Sequence, residues 1–137
     1  MKEELVKEVL LLNKLEFCKY STIFATIKPS ISAYQYGLGD FLYSSKEHIL
    51  HFNHNGIIII PLNEMSGKLL DDSLVIIPYN EIESKEIKIN LMTFKLILKT
   101  KKGNIEYKIR KNALGCPWHK ENLSFILLYS SIKTGGS

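Results

Sequence analysis

Arginine is nearly missing from this sequence. Arg110 is the one arginine, and the rest of the 18 basic residues are lysine. Proteins that read bases and phosphates favour arginine, whose planar fork makes paired hydrogen bonds, so a lysine surface argues against nucleic acid as the partner. Cysteine is scarce too. Cys18 and Cys116 are too few and too far apart for a disulfide framework, and they read as free thiols in a reducing compartment, the cytoplasm. No apolar run approaches the length of a membrane span. The start, Met1-Lys2-Glu3-Glu4, carries charge of both signs and leads into an amphipathic pattern, which is not a signal peptide. Glycines stand singly at turns, with no phosphate-cradling loop, and nothing calls for a cofactor.

What remains is an ordinary globular composition. The chain has 137 residues, 45% hydrophobic and 23% charged, with net charge +4. That is the length of a single domain, taken as residues 1–137. The clearest signal is in Leu74–Arg110. In Phe94–Thr100, Phe94, Leu96, Leu98 and Thr100 share one face, while Lys95 and Lys99 share the other with Ile97. Ile105, Tyr107 and Ile109 then alternate with Glu106, Lys108 and Arg110. Such alternation marks strands with one buried face, and Gly103-Asn104 supplies turn chemistry between them. Ile87, Ile89 and Leu91 alternate likewise, predicting a strand before this hairpin.

Residues 2–16 predict a helix with a broad stripe of Leu5, Val9 and Leu12, widened by Val6, Leu10 and Leu15. The segment Thr22–Ile27 fits a strand or a helical turn. Strands are expected within 31–111: Ile31–Tyr36, the short Phe41–Tyr43, His48–Phe52 and Ile57–Ile60, with turns at Gly37–Asp40, Ser44–Glu47 and Asn55-Gly56. Pro117 suits the first turn of a second helix over 117–131, apolar nearly all round and so expected to be buried. Residues 133–137 read as a flexible tail. The fold class is mainly β: an antiparallel sandwich or small barrel of about seven strands with a helix at each end. Two pieces echo each other, IIIIPLNEM at 57–65 and LVIIPYNEI at 74–82, as two strands leaving the sheet in the same way.

The string of strands closed by an apolar helix, the signature Ile76-Ile77-Pro78-Tyr79-Asn80-Glu81-Ile82 and the hairpin after it resemble the bacterial pleckstrin-homology-like domains. The resemblance covers Ile31–Ile132. It implies a bent sandwich of two near-orthogonal sheets with a capping helix, and a binding or assembly role rather than catalysis. Similar bacterial domains self-associate. Lipid-binding members of the superfamily carry a basic motif in the loop between the first two strands. Here that loop would be Gly37–Asp40, which has no lysine or arginine, so phosphoinositide binding is not carried over.

His48, His51 and His54 are spaced three apart, but on a strand His51 faces away from His48. His48 and His54 would lie about 20 Å apart at ~3.3 Å per residue, too far for one metal ion. Cys116 and His119 lack a third group to orient the base, and the carboxylates are scattered, so no catalytic set emerges. Two surfaces remain. Lys95, Lys99, Lys101, Lys102, Lys108 and Arg110 cluster on a hairpin and would suit an anionic surface such as a membrane. The unbroken apolar runs Ile57, Ile58, Ile59, Ile60 and Leu74, Val75, Ile76, Ile77 need cover on both faces. The N-terminal helix or a second copy of the chain could supply it. The leading expectation is therefore a non-catalytic module that binds a protein partner or itself. The alternative is a peripheral binder of anionic surfaces.

Overall fold

A computed structural model describes residues 1–28, 45–129 and 133–135. Helix α1 spans Glu3–Leu12. The strands are β1 (Thr22–Lys28), β2 (Glu47–Asn53), β3 (Gly56–Pro61), β4 (Val75–Ile77), β5 (Ile82–Ile89), β6 (Thr93–Thr100) and β7 (Gly103–Arg110). Helix α2 spans Trp118–Tyr129, and a short strand β8 spans Lys133–Gly135. The strands form one unclosed sheet in the order β4-β3-β2-β1-β7-β6-β5-β8. All pairs are antiparallel except β5 with β8. The mainly β architecture with a helix towards each end is the one the sequence patterns predict. The expected strands Ile31–Tyr36 and Phe41–Tyr43, the turn Gly37–Asp40 and helix residues beyond Tyr129 lie outside the described residues.

Three boundaries differ from the sequence reading. The ambiguous Thr22–Ile27 is a strand, and a central one, so the sheet begins before residue 31. Ile23, Ala25 and Ile27 face the main core, but Phe24 packs on the opposite side, which blurs the alternation. The C-terminal tail is not wholly without structure: the backbone of Lys133–Gly135 runs parallel to β5 at Glu86–Lys88. Strand β5 also ends earlier than Leu91. Its last pair is Ile89 with Phe94, and Leu91 and Met92 form the turn.

One face of the sheet carries the larger core, from Ile77 of β4 across to Ile87 of β5, with Leu123 and Ile126 of α2 packed upon it. Helix α2 buries that one stripe only. Phe125 and Leu128 are exposed, so the expectation of an all-round buried helix does not hold. The other face is covered only over β2 and β3. There Val6, Val9 and Leu10 of α1 lie on Ile49, Ile58 and Ile60. The N-terminal helix thus docks on its own sheet. Leu5 and Leu12, expected in its buried stripe, are exposed instead. The helix stops at Leu12 rather than residue 16. Lys14 takes a left-handed φ of 58°, and the amides of Lys14 and Leu15 donate back to the carbonyls of Leu11 and Leu10, a Schellman closure.

The echoed segments prove to be neighbours. Ile57, Ile58 and Ile59 of β3 pair with Ile77, Ile76 and Val75 of β4. The β2–β3 turn is centred on His54 and Asn55, because Asn53 pairs with Gly56. Gly56 is needed for a different reason: its φ is +141°, and a Cβ there would meet the Ile77 carbonyl oxygen at 2.2 Å.

The sheet has a seam. Strand β1 pairs with β2 from Thr22 to Thr26, but with β7 only from Thr26 to Lys28. Where β7 departs, side chains of α2 take over its role. Phe24 N–H donates to His119 Nδ1 at 2.9 Å, and His119 Nε2 lies 2.7 Å from the Arg110 carbonyl. A neutral ring with its proton on Nε2 satisfies both bonds. Asn122, one turn along, donates to the Thr22 carbonyl at 2.8 Å and to Glu3 Oε2 at 2.7 Å. Buried backbone groups left without partners are costly. His119→Ala should therefore destabilise the protein by about 2–4 kcal/mol in urea unfolding, since it orphans one donor and one acceptor at once.

Candidate binding surface

The outer faces of β5, β6 and β7 are left uncovered by either helix. Their side chains follow from the register. Lys88 of β5 stands across from Lys95 of β6, which stands across from Lys108 of β7. The neighbouring row runs Glu86, Ile97, Glu106 and then Lys28 of β1. Lys99 lies across from Asn104, and Thr93 across from Arg110. The predicted basic residues Lys95, Lys99, Lys108 and Arg110 are thus on one face, with Lys101 and Lys102 exposed at the β6–β7 turn. Lys28 and Lys88 join them, which the sequence reading missed. Lys88 was visible in the alternation, whereas Lys28 required knowing that β1 pairs with β7.

Part of this charge is countered. Glu106 Oε1 is 3.3 Å from Lys95 Nζ, its Oε2 is 4.0 Å from Lys28 Nζ, and Lys102 pairs with Glu81 at 3.6 Å. These half-exposed pairs are worth little to stability. Glu106 thus counters the middle lysine of the row of three and leaves the row with a net positive charge. A depression of about 420 Å³ opens there, lined by Thr26, Lys28, Asn90, Thr93, Lys95 and Lys108 together with Ile27, Phe94 and Tyr107. Ammonium, hydroxyl and amide donors around one hollow can receive an anionic oxygen group.

The apolar surface reads differently. Ile57, Ile58, Ile59 and Ile60 are each 0% exposed, two of them facing the main core and two facing α1. Ile77 is buried, Leu74 and Val75 are partly covered, and only Ile76 at 40% stands open. The cover these strands require is supplied within the chain, so most of the surface reserved for a second copy is already used. A cleft of about 760 Å³ lies beside α1, lined in part by Leu5, Leu12 and Leu114.

His48, His51 and His119 are held in the protein's own hydrogen-bond network. His48 faces the main core, with Nδ1 2.8 Å from the Tyr107 hydroxyl and Nε2 3.2 Å from the Ser45 carbonyl. His51 faces the other way, stacked on Phe17, with Nδ1 2.7 Å from Thr22 Oγ1. Its Nε2 accepts the Cys18 N–H at 3.0 Å, tying the chain after α1 to β2. His54 is exposed in the turn beside Glu16. The opposed faces expected from strand geometry are present. Among the described residues no group of three or more His, Cys, Asp or Glu side chains converges for a metal. His119 is committed at both nitrogens in the seam, so it is not available to Cys116, whose thiol is pushed up mainly by burial. Among the described residues no helix is long and apolar enough to cross a membrane.

Burial, weakly opposed by hydrogen bonding to the Glu16 backbone, holds His51 at about 4, below its ordinary 6.5. His119 is lowered for the same reason, against its bond to the Arg110 backbone. The unfolded chain therefore takes up protons near pH 6.5 that the folded chain refuses until lower pH. The contribution of these two histidines should be complete above about pH 7 and fall as pH drops through 6.5. His51 alone should cost about 2 kcal/mol by pH 5, with His119 adding in the same direction. Urea unfolding at pH 7 and pH 5 measures the loss, which His51→Gln should lessen.

No protein-family model matches the chain, and no curated protein matches it.

Proposed function

We propose that this chain is a non-catalytic binding module that engages an anionic partner through the outer face of β5, β6 and β7. The observation that carries the reading is the cross-strand row Lys88–Lys95–Lys108. Like charges placed directly opposite repel, and Glu106 beside Lys95 offsets only part of that repulsion, so an anionic partner would relieve the rest. The depression beside this row, lined by Lys28, Lys95 and Lys108 with Thr26, Thr93 and Asn90, adds neutral donors to the charge.

A pleckstrin-homology-like architecture fits this role. It is supported by the strand order β4-β3-β2-β1-β7-β6-β5 and by a helix standing in the open seam between β1 and β7. It is a reading of topology, and topology alone does not assign a ligand. Lys99→Glu with Lys108→Glu tests the function and leaves the Lys95–Glu106 pair intact. At about 1 kcal/mol per lysine near an anionic surface, removing and reversing two charges should weaken binding to heparin or anionic vesicles by about thirtyfold or more. Wild-type binding should fall steeply between low and physiological salt.

A protein partner or a second copy of the chain remains the second reading, now through a different surface. Strand β4 is three residues long, lies at the end of the sheet and exposes Ile76. Such an edge accepts an added strand. Light scattering over a rising concentration series should then show association that Ile76→Lys suppresses.

A further inference from the structure

The turn between β5 and β6 is chemically out of place. Asn90 N–H donates to the Thr93 carbonyl at 2.9 Å, closing a turn with Leu91 and Met92 at its tip. Tight turns favour glycine, asparagine and aspartate. This one presents two large apolar side chains, 95% and 75% exposed, next to Ile89 at 60%. Among the described residues neither Leu91 nor Met92 belongs to either core.

The base of this turn is basic. Lys88 precedes it on β5, Lys95 follows it on β6, and Arg110 pairs with Thr93, with Lys111 next in the chain. Asn90 and Thr93, the two corners of the turn, also line the depression shared by Lys28, Lys95 and Lys108. An apolar tip ringed by cations, beside a hollow of anion-binding donors, has the layering of one leaflet of a charged bilayer. Headgroups lie at the level of the lysines and acyl chains at the level of the tip.

We infer that the anionic partner is a phospholipid membrane, and that Leu91 and Met92 enter its interface while the lysines at the base of the turn hold the headgroups. The inference rests on the anionic-partner reading above and narrows it to one class. A polynucleotide fits less well. The outer faces of β5, β6 and β7 present lysine, glutamate, threonine, serine, isoleucine, asparagine and the single Arg110, but none of their outward residues is aromatic for bases to stack on. Nor would a polyanion in water have use for an exposed leucine and methionine.

The test is co-sedimentation of the full chain with vesicles of phosphatidylcholine alone and of phosphatidylcholine with phosphatidylserine, at low and physiological salt, alongside heparin binding. The variant is Leu91→Asn with Met92→Gly, which installs favourable turn chemistry and so keeps the hairpin folded. The wild type should bind the serine-containing vesicles. The variant should lose at least about tenfold at physiological salt, where charge is screened, while binding heparin as before. In a second measurement, Leu91→Trp should shift its emission to the blue on serine-containing vesicles, read against Trp118 in the wild type. Vesicle binding unchanged in the turn variant, or no blue shift, overturns membrane insertion and leaves the anionic face standing. Failure of the wild type to bind either vesicles or heparin overturns both. Heparin binding without vesicle binding overturns the membrane alone.

Discussion

Strand β1 has to serve two neighbours that diverge. Its amides and carbonyls are paired with β2 along nearly the whole strand, but β7 accompanies it for only three residues. A buried backbone group without a partner would cost more than most single contacts return. The departure of β7 is therefore tolerable only because α2 brings His119 and Asn122, three residues apart on one helix face, to the exposed backbone of β1. That requirement fixes where α2 lies. Its apolar stripe, Leu123 and Ile126, then falls on the main core. Asn122 also reaches Glu3, and Trp118 Nε1 donates to the Met1 carbonyl at 2.8 Å, so the start of α1 is located by the same helix.

Fixing α1 decides which surfaces are left. It covers β2 and β3 on the outside, converting Ile58 and Ile60 from a surface into a second core. Neither helix covers the half of the sheet beyond β1, and most of its outer side chains are charged or polar. The division of labour is thus spatial. Strands β2 and β3 are sheltered on both sides, and the β5–β7 half has an exposed outer face.

Much of this was legible in the sequence because period-two alternation is a local signal. The alternations in Phe94–Thr100 and Ile105–Arg110 placed the lysines on one face before any pairing was known, and the run of four isoleucines announced a strand needing cover twice. What could not be read were relations across the chain. Thr22–Ile27 hid its strand character because Phe24 packs on the outer cluster and breaks the pattern. The histidines carried no motif, since each is held by partners distant in sequence: His119 by Phe24, His48 by Tyr107, and His51 by Cys18 and Thr22. Leu91 was assigned to a strand because a leucine in register looks like one. The turn at Leu91-Met92 lacks the glycine or proline that betrays most turns, and its apolar residues sit where solubility alone would place polar ones.

The docking of α1 on one half of the sheet has a consequence for how the molecule breathes. Amides of β2 and β3 lie beneath side chains on both faces, so they open to solvent only in the largest unfolding events. Those of β5 and β6 are shielded on a single face and release in smaller ones. Hydrogen exchange would therefore grade across the sheet, slow at the helix-covered side and faster towards the basic hairpin. The face proposed to meet a partner is also the part that can deform without disturbing the rest.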